Sequence, residues 1–262
     1  MPQGPEFIRC DYPNPLPEIR SDGITYSKED RYALMDEEVT IMKALWTADG
    51  PIDYCGRFHT LQGAEITPLP FQQPYPRLYL GGGSSEAWNV SAKHCDVHLF
   101  WGDTPERIAS NIAAIQQLAD GYGRGDAIQF GMRLQIICRE DERDAWTAAQ
   151  ELIAHSTEAD RDRVKASAPN SMANDRVQEL ASTYGELIGP HLWTGITRVR
   201  GGAGIAVVGN PEQCADQLQE FIDAGCRSFC LSGYPHDEEA ERFGRLVLPQ
   251  LTGQNRDLIM TT

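Results

Sequence analysis

The chain has 262 residues, 41% of them hydrophobic and 23% charged, with a formal net charge of −15. This length and balance suit a globular protein with a sizeable core and exclude wholesale disorder. The acidic balance repels phosphate backbones, so no nucleic-acid partner is expected.

In chain order, residues 1–23 are proline-rich and read as a loop or a non-native start. A helix is predicted from Ser27, where Ser27 and Asp30 have capping-box spacing, with Tyr32, Met35, Val39, Met42 and Trp46 on one face. Gly50-Pro51 ends it, and 52–76 form an irregular excursion with short strand-like pieces. A strand–helix rhythm then begins. Strands are predicted within Arg77–Ser85, Val97–Glu106, Ile128–Arg139 and Ser228–His236. Helices follow at Thr104-Pro105, with the stripe Ile108, Ile112 and Ile115, at Ala145–His155, and at Asn210-Pro211, with Cys214, Leu218, Phe221 and Ile222 inward. Residues 156–200 read as an insertion and 252–262 as a tail.

Strand alternating with helix means a parallel sheet covered by helices. No GxGxxG follows a strand, which weakens an open dinucleotide-binding sheet, and polar and glycine-rich residues gather at strand C-terminal ends, as in a barrel. The expected fold is α/β, either an open doubly wound sheet or, favoured by these strand-end residues, the (β/α)8 TIM-barrel type. Only about four βα units are present, within a partial barrel domain over 24–251. Seven cysteines, odd in number and without CxxC spacing, read as free thiols in a reducing compartment. No apolar run reaches the ~18 residues of a membrane span, and the N-terminus has no apolar signal core, so a cytoplasmic protein with no membrane partner is expected.

Several segments could carry chemistry. Leu80–Val90 runs a strand through glycines into Ser84 and Ser85 at a helix start; it is either a phosphate cradle or a plain turn. Arg200 precedes Gly201, Gly202 and Gly204, and is either a cation that swings over a pocket or a solvated loop residue. Tyr234 and His236 follow the last strand, where they either serve proton chemistry or pack and cap. Arg133 within an apolar strand requires an anion, from a ligand or from a buried carboxylate. His94 and His98 have HxxxH spacing without the HExxH acid, and read as core or solvated histidines with no metal.

The segments LYLGGGSSEA, LFWGDTPE, FGMRLQIICRE, LWTGITRVRGGAGIAVVGNPEQ and SGYPHDEEAERFGRLVLPQL, in this order, resemble the bacterial alkanesulfonate monooxygenases of the luciferase-like flavin monooxygenase family. The resemblance runs from about Asp22 to Leu251. It implies a (β/α)8 barrel, non-covalent reduced FMN supplied by a separate NAD(P)H-dependent reductase, O2 and an alkanesulfonate as substrates, sulfite and an aldehyde as products, and a homo-oligomer. By position it implies flavin-phosphate contacts at Ser84 and Ser85, an active-site aromatic at Trp101, and arginines of the flavin and sulfonate site at Arg133 and Arg200. It also implies a polar pair at Tyr234 and His236, and a mobile insertion over 156–200. The chain departs from the pattern at Gln135, where the family has a histidine, and nothing in it matches the family's first barrel strands. Two other readings are a non-catalytic flavin-binding half-barrel and a luciferase-like monooxygenase with another organosulfur substrate.

Overall fold

The computed structural model describes residues 26–167, 172–199 and 205–251. The chain divides into two compact units between Pro76 and Arg77, and every parallel strand among the described residues lies C-terminal to that point.

In the first unit, helix α1 (Lys28–Thr47) begins where the Ser27 hydroxyl accepts the Asp30 N–H at 2.9 Å. The expected stripe is corrected: Met42 is 38% exposed, and the buried positions are Glu37 and Ile41. Glu37 is buried because it has backbone partners. Strands β1 (Ile52–Cys55) and β2 (Thr60–Ala64) pair antiparallel, and the loop between them aims three N–H groups at the Glu37 carboxylate, from Arg57 at 2.9 Å, Phe58 at 3.1 Å and His59 at 2.6 Å. Burial pushes this carboxyl's pKa up. The N–H bonds of Phe58, His59 and Arg57 together outweigh it and hold the pKa below the ordinary value.

The second unit is built on one sheet. Its parallel strands β3 (Tyr79–Gly81), β4 (Val97–Trp101), β5 (Gln129–Cys138) and β8 (Ser228–Ser232) lie side by side in that order. These are the strands read from the sequence, each trimmed to the residues that pair. The helices α2 (Ser85–His94), α3 (Pro105–Gly121), α4 (Glu142–Ile153), α5 (Glu158–Ser167), α6 (Met172–Tyr184), α7 (Pro211–Asp223) and α8 (His236–Arg242) fill the rest of the order. Their starts follow local chemistry. Ser84 caps α2, Thr104 with Pro105 starts α3, and Asn210 with Gln213 forms a full capping box on α7.

Alternation sorts the sheet's side chains into two faces. Phe100, Phe130, Met132, Leu134, Ile136, Phe229 and Leu231 face the helices and pack with Ile108 and Ile115 of α3 and Leu218 and Phe221 of α7. The other face carries Tyr79, Leu99, Trp101, Gln129, Arg133 and Cys230, half-buried or exposed, together with the buried Ser228, Gln135 and Ile137. Helices α3 and α7 pack on the first face of the four-stranded wall.

The sequence reading missed two strands. Residues 205–209, for which the sequence predicts no strand, form β7 (Ala206–Gly209), parallel to β5, and β6 (Leu192–Trp193) pairs antiparallel with β7. The Gln129 N–H bonds Asp96 O and the Gln135 N–H bonds Ile205 O, whereas Phe130 O accepts from Arg227 on the β8 side. Residues of equal parity address the same strand edge. So β4 and β7 lie end to end along one edge of β5, and β8 takes the other. Gly102 sits at the junction. A Cβ there would fall 2.8 Å from Leu134 Cδ2 and 3.0 Å from the Ile205 backbone nitrogen, so the crossing needs glycine. Beyond the junction, Ile137, Ala206, Val208 and Trp193 form a second core with Ala145, Ala149 and Ile153 of α4.

Candidate functional site

A cavity of about 690 Å³ opens at the C-terminal ends of β3 and β4. Gly82, Gly83 and Ser85 line it after β3, and Trp101, Gly102 and Asp103 line it at the end of β4. Arg107 and Asn111 of α3 and Asp175, Arg176 and Glu179 of α6 complete the wall. Ser84 and Ser85 behave differently. Ser84 is buried and its hydroxyl accepts the Ala87 N–H at 3.3 Å, so it caps the helix. Ser85 is exposed at the cavity, its hydroxyl 3.2 Å from Glu86 Oε2. A cavity of this size at a helix N-terminus suits a mononucleotide's phosphate end.

Further expected residues lie at the ends of β4 and β5, next to Trp101 on the other face of the sheet. Trp101 pairs with Arg133, and Arg133 with Cys230, so these three share one row. One row earlier come Leu99, Gly131 and Ser228. The Arg133 Nε–H is buried with no hydrogen-bond partner, and among the described residues no carboxylate pairs with this arginine. The carboxylate partner that an arginine in an apolar strand ordinarily has is therefore missing from the described residues. Gln135 stands on the same face two residues on, 1% exposed.

The remaining expected site residues fall elsewhere. Tyr234 packs against the second core, at the end of the face that carries Gln135 and Ile137, with its ring 4.9 Å from that of His236. His236 itself is exposed at the start of α8. It lines a different, mainly apolar cavity of about 510 Å³ on the helix side, with Phe229, Leu231 and Phe243. The turn after β8 carries it past the strand end to this cavity, while its ring stays next to that of Tyr234. Arg200 lies outside the described residues. His98 is a core histidine, fully buried, with Nδ1 2.7 Å from Ser91 Oγ. Burial, partly opposed by the Gly82 carbonyl, lowers its pKa to about 4, so it is neutral at pH 7. Among the described residues no group of His, Cys, Asp or Glu is arranged to hold a metal ion, and no helix is long and apolar enough to cross a membrane.

One ion pair at the cavity was not singled out in the sequence. Asp103 is 5% exposed and accepts from Arg176 Nε at 2.7 Å and Nη2 at 3.0 Å, and from the Thr104 N–H at 2.8 Å. The Asp103 hydrogen bonds raise the Arg176 pKa further above its usual value, against the effect of burial. The pair fixes α6 of the insertion to the end of β4. Asp103 stood in a quoted segment, but nothing local pointed to a partner 73 residues away.

Comparison with known proteins agrees with the fold. Among solved structures, a long-chain alkane monooxygenase (LadA) is 21% identical with a TM-score of 0.72, covering 93% of this chain and 61% of that one. A riboflavin lyase (RcaE), solved with modified FMN and riboflavin, is 19% identical with a TM-score of 0.72, over 93% and 62% of the two chains. The EDTA monooxygenase (EmoA) from Chelativorans sp. BNC1 is 16% identical with a TM-score of 0.71, over 93% and 65%. The chain thus spans less than two thirds of the length of each of these neighbours, and at these identities the likeness is one of fold. The profile of the luciferase-like monooxygenases matches residues 14–228, most of the chain. By that match, and with a parallel α/β wall of the corresponding type, the chain belongs to the luciferase-like monooxygenase family.

Proposed function

We propose that this chain forms the flavin- and substrate-binding wall of a reduced-FMN-dependent monooxygenase that cleaves the carbon–sulfur bond of alkanesulfonates. One observation carries the reading. Arg133 is a permanent cation set in a strand between Trp101 and Cys230, on the face opposite α3 and α7, with a buried Nε–H that no described residue satisfies. A sulfonate is a permanent anion with three acceptor oxygens, and it complements such a group.

In this reading Ser85 and the free N–H groups at the start of α2 hold the FMN phosphate, and Ser84 shapes that turn by capping it. The cavity volume and the glycines at 82 and 83, which let a ligand approach the backbone, fit the group. Bound reduced FMN would supply the two electrons that split O2: alkanesulfonate, O2 and FMNH2 give aldehyde, hydrogen sulfite, FMN and water. Trp101 flanks the flavin and keeps water from one side. Arg133, with Arg200, orients the sulfonate. Gln135 hydrogen-bonds there but carries no proton, because an amide does not titrate. Tyr234 is the proton donor at the strand end, and His236, its ring tilted against the phenol at 4.9 Å, positions it. A separate reductase supplies the reduced flavin, and the protein acts as a homo-oligomer in the cytoplasm.

The test uses the full chain with photoreduced FMN, 1-octanesulfonate and air, and measures sulfite. FMN-dependent sulfite release, abolished in Arg133→Ala, is the expected result. A folded protein that binds FMN and releases no sulfite would overturn the reading.

A further inference from the structure

We propose that the Ser228 hydroxyl is a second donor to the substrate's anionic group, forming with Arg133 a two-donor oxyanion seat in the wall. The inference rests on the reading that Arg133 faces that anion, and it adds a specificity residue from the opposite strand.

Ser228 opens β8 and pairs with Gly131. Its hydroxyl lies over that glycine: a Cβ at position 131 would come within 2.4 Å of Ser228 Oγ. Any side chain there would displace the hydroxyl, so Gly131 keeps its place clear. Ser228 is 7% exposed, and its Oγ is buried with no hydrogen-bond partner among the described residues. A buried serine hydroxyl ordinarily finds a nearby carbonyl. This one makes no such bond and lies on the face that carries Arg133.

Arg133 stands two residues along β5 from Gly131, on the same face, and its Nε–H is likewise buried and unbonded. Same-face neighbours along a strand are about 6.6–6.8 Å apart. A three-oxygen headgroup seated between these two rows would take one hydrogen bond from each donor. The two rows hold Leu99 and Trp101 on β4 and no carboxylate, so no acidic side chain in them competes for the donors. Leu99 and Trp101 also give an apolar flank to a carbon chain. The site therefore selects a monovalent oxyanion on an apolar stem. A neutral analogue leaves two buried donors unpaired, and a site built to hydrogen-bond rejects such analogues strongly.

The mechanism makes fold and binding respond in opposite directions. An unbonded buried hydroxyl disfavours the empty protein, so Ser228→Ala should hold or raise the thermal midpoint while weakening anion binding. The probe is 1-butanesulfonate, titrated calorimetrically into the full chain without flavin. Ser228→Ala is expected to raise its Kd about tenfold, equivalent to about 1.4 kcal/mol. Ser228→Cys, a near-isostere with a weak donor, should fall between the two, and FMN affinity should not change. If the wild type binds butanesulfonate and Arg133→Ala loses it, but Ser228→Ala and Ser228→Cys bind as the wild type does, the seat is refuted and the Arg133 reading stands. If the wild type binds no sulfonate, both fail.

Discussion

Replacing Arg176 by alanine tests how the insertion is held to the barrel wall. The Asp103 side chain is 7% exposed, and two of its three hydrogen bonds come from this guanidinium. Without Arg176 the carboxylate keeps only the Thr104 N–H and stays buried and charged. Removing one partner of a fully buried pair typically costs 3–5 kcal/mol. Because the Arg176 side chain is 33% exposed, part of the pairing is already screened, which lowers the expected loss to roughly 2–3 kcal/mol. Asp103→Asn removes the charge but keeps shape and one acceptor, so it should cost about 1 kcal/mol. The double variant should be less destabilised than the sum of the singles, since removing both charges leaves no orphan. Urea denaturation gives the energies, and limited proteolysis within 172–199 reports whether α6 has come loose. A loss below about 0.5 kcal/mol for Arg176→Ala, with unchanged proteolysis, would refute the latch, because that is the value of an ordinary exposed pair.

Three further outcomes follow from the packing. Gly102→Ala should destabilise by about 1–3 kcal/mol, because its Cβ meets the backbone of Ile205, which cannot rotate away; amide exchange should then quicken first in β7, and uniform quickening would argue against an end-to-end junction. The His98 pKa is depressed to about 4 in the fold from the 6.5 of a free imidazole, so its contribution is fully present above pH 6.5 and is lost as pH falls toward 4. The loss amounts to roughly 3 kcal/mol over that window, and a His98→Phe variant whose stability kept the same slope there would contradict this assignment. Glu37 has a depressed carboxyl pKa, so its contribution is present above about pH 4.5 and fades as pH drops below that. Glu37→Gln should loosen the β1–β2 loop, seen as faster amide exchange at Arg57, Phe58 and His59 at neutral pH.

The elements and junctions that the sequence announced were those decided by neighbours in the chain. Asn210, Thr104 and Ser27 mark helix starts because a capping side chain bonds an amide three residues on. Long apolar runs such as Phe130–Cys138 marked strands for the same local reason. Relations across the chain were silent. No strand was predicted at β7 because its four residues are flanked by glycines, and only pairing with β5 makes them a strand. Gly102 looked like any turn glycine until Ile205 crossed it. Ser228 was an unremarked strand residue whose meaning comes from sitting opposite Gly131. Glu37 was absent from the predicted face because its partners lie more than 20 residues ahead on average, in a loop the pattern could not place. Of the expected site, Ser85 and Trp101 share a cavity and Arg133 adjoins Trp101, whereas His236 lines another cavity past the end of β8, since strand alternation ends at Ser232 and says nothing of the turn beyond it.

The splicing of β7 onto β5 bears on how the molecule tolerates change. The chain leaves β5 after Cys138 and comes back beside it at Ala206, opposite Gln135, three rungs before the point of departure. Everything between, with α4, α5, α6 and β6, thus forms an excursion whose entrance and exit lie close together on one ladder. Insertions or deletions in that excursion would leave the strands beneath it threaded as they are.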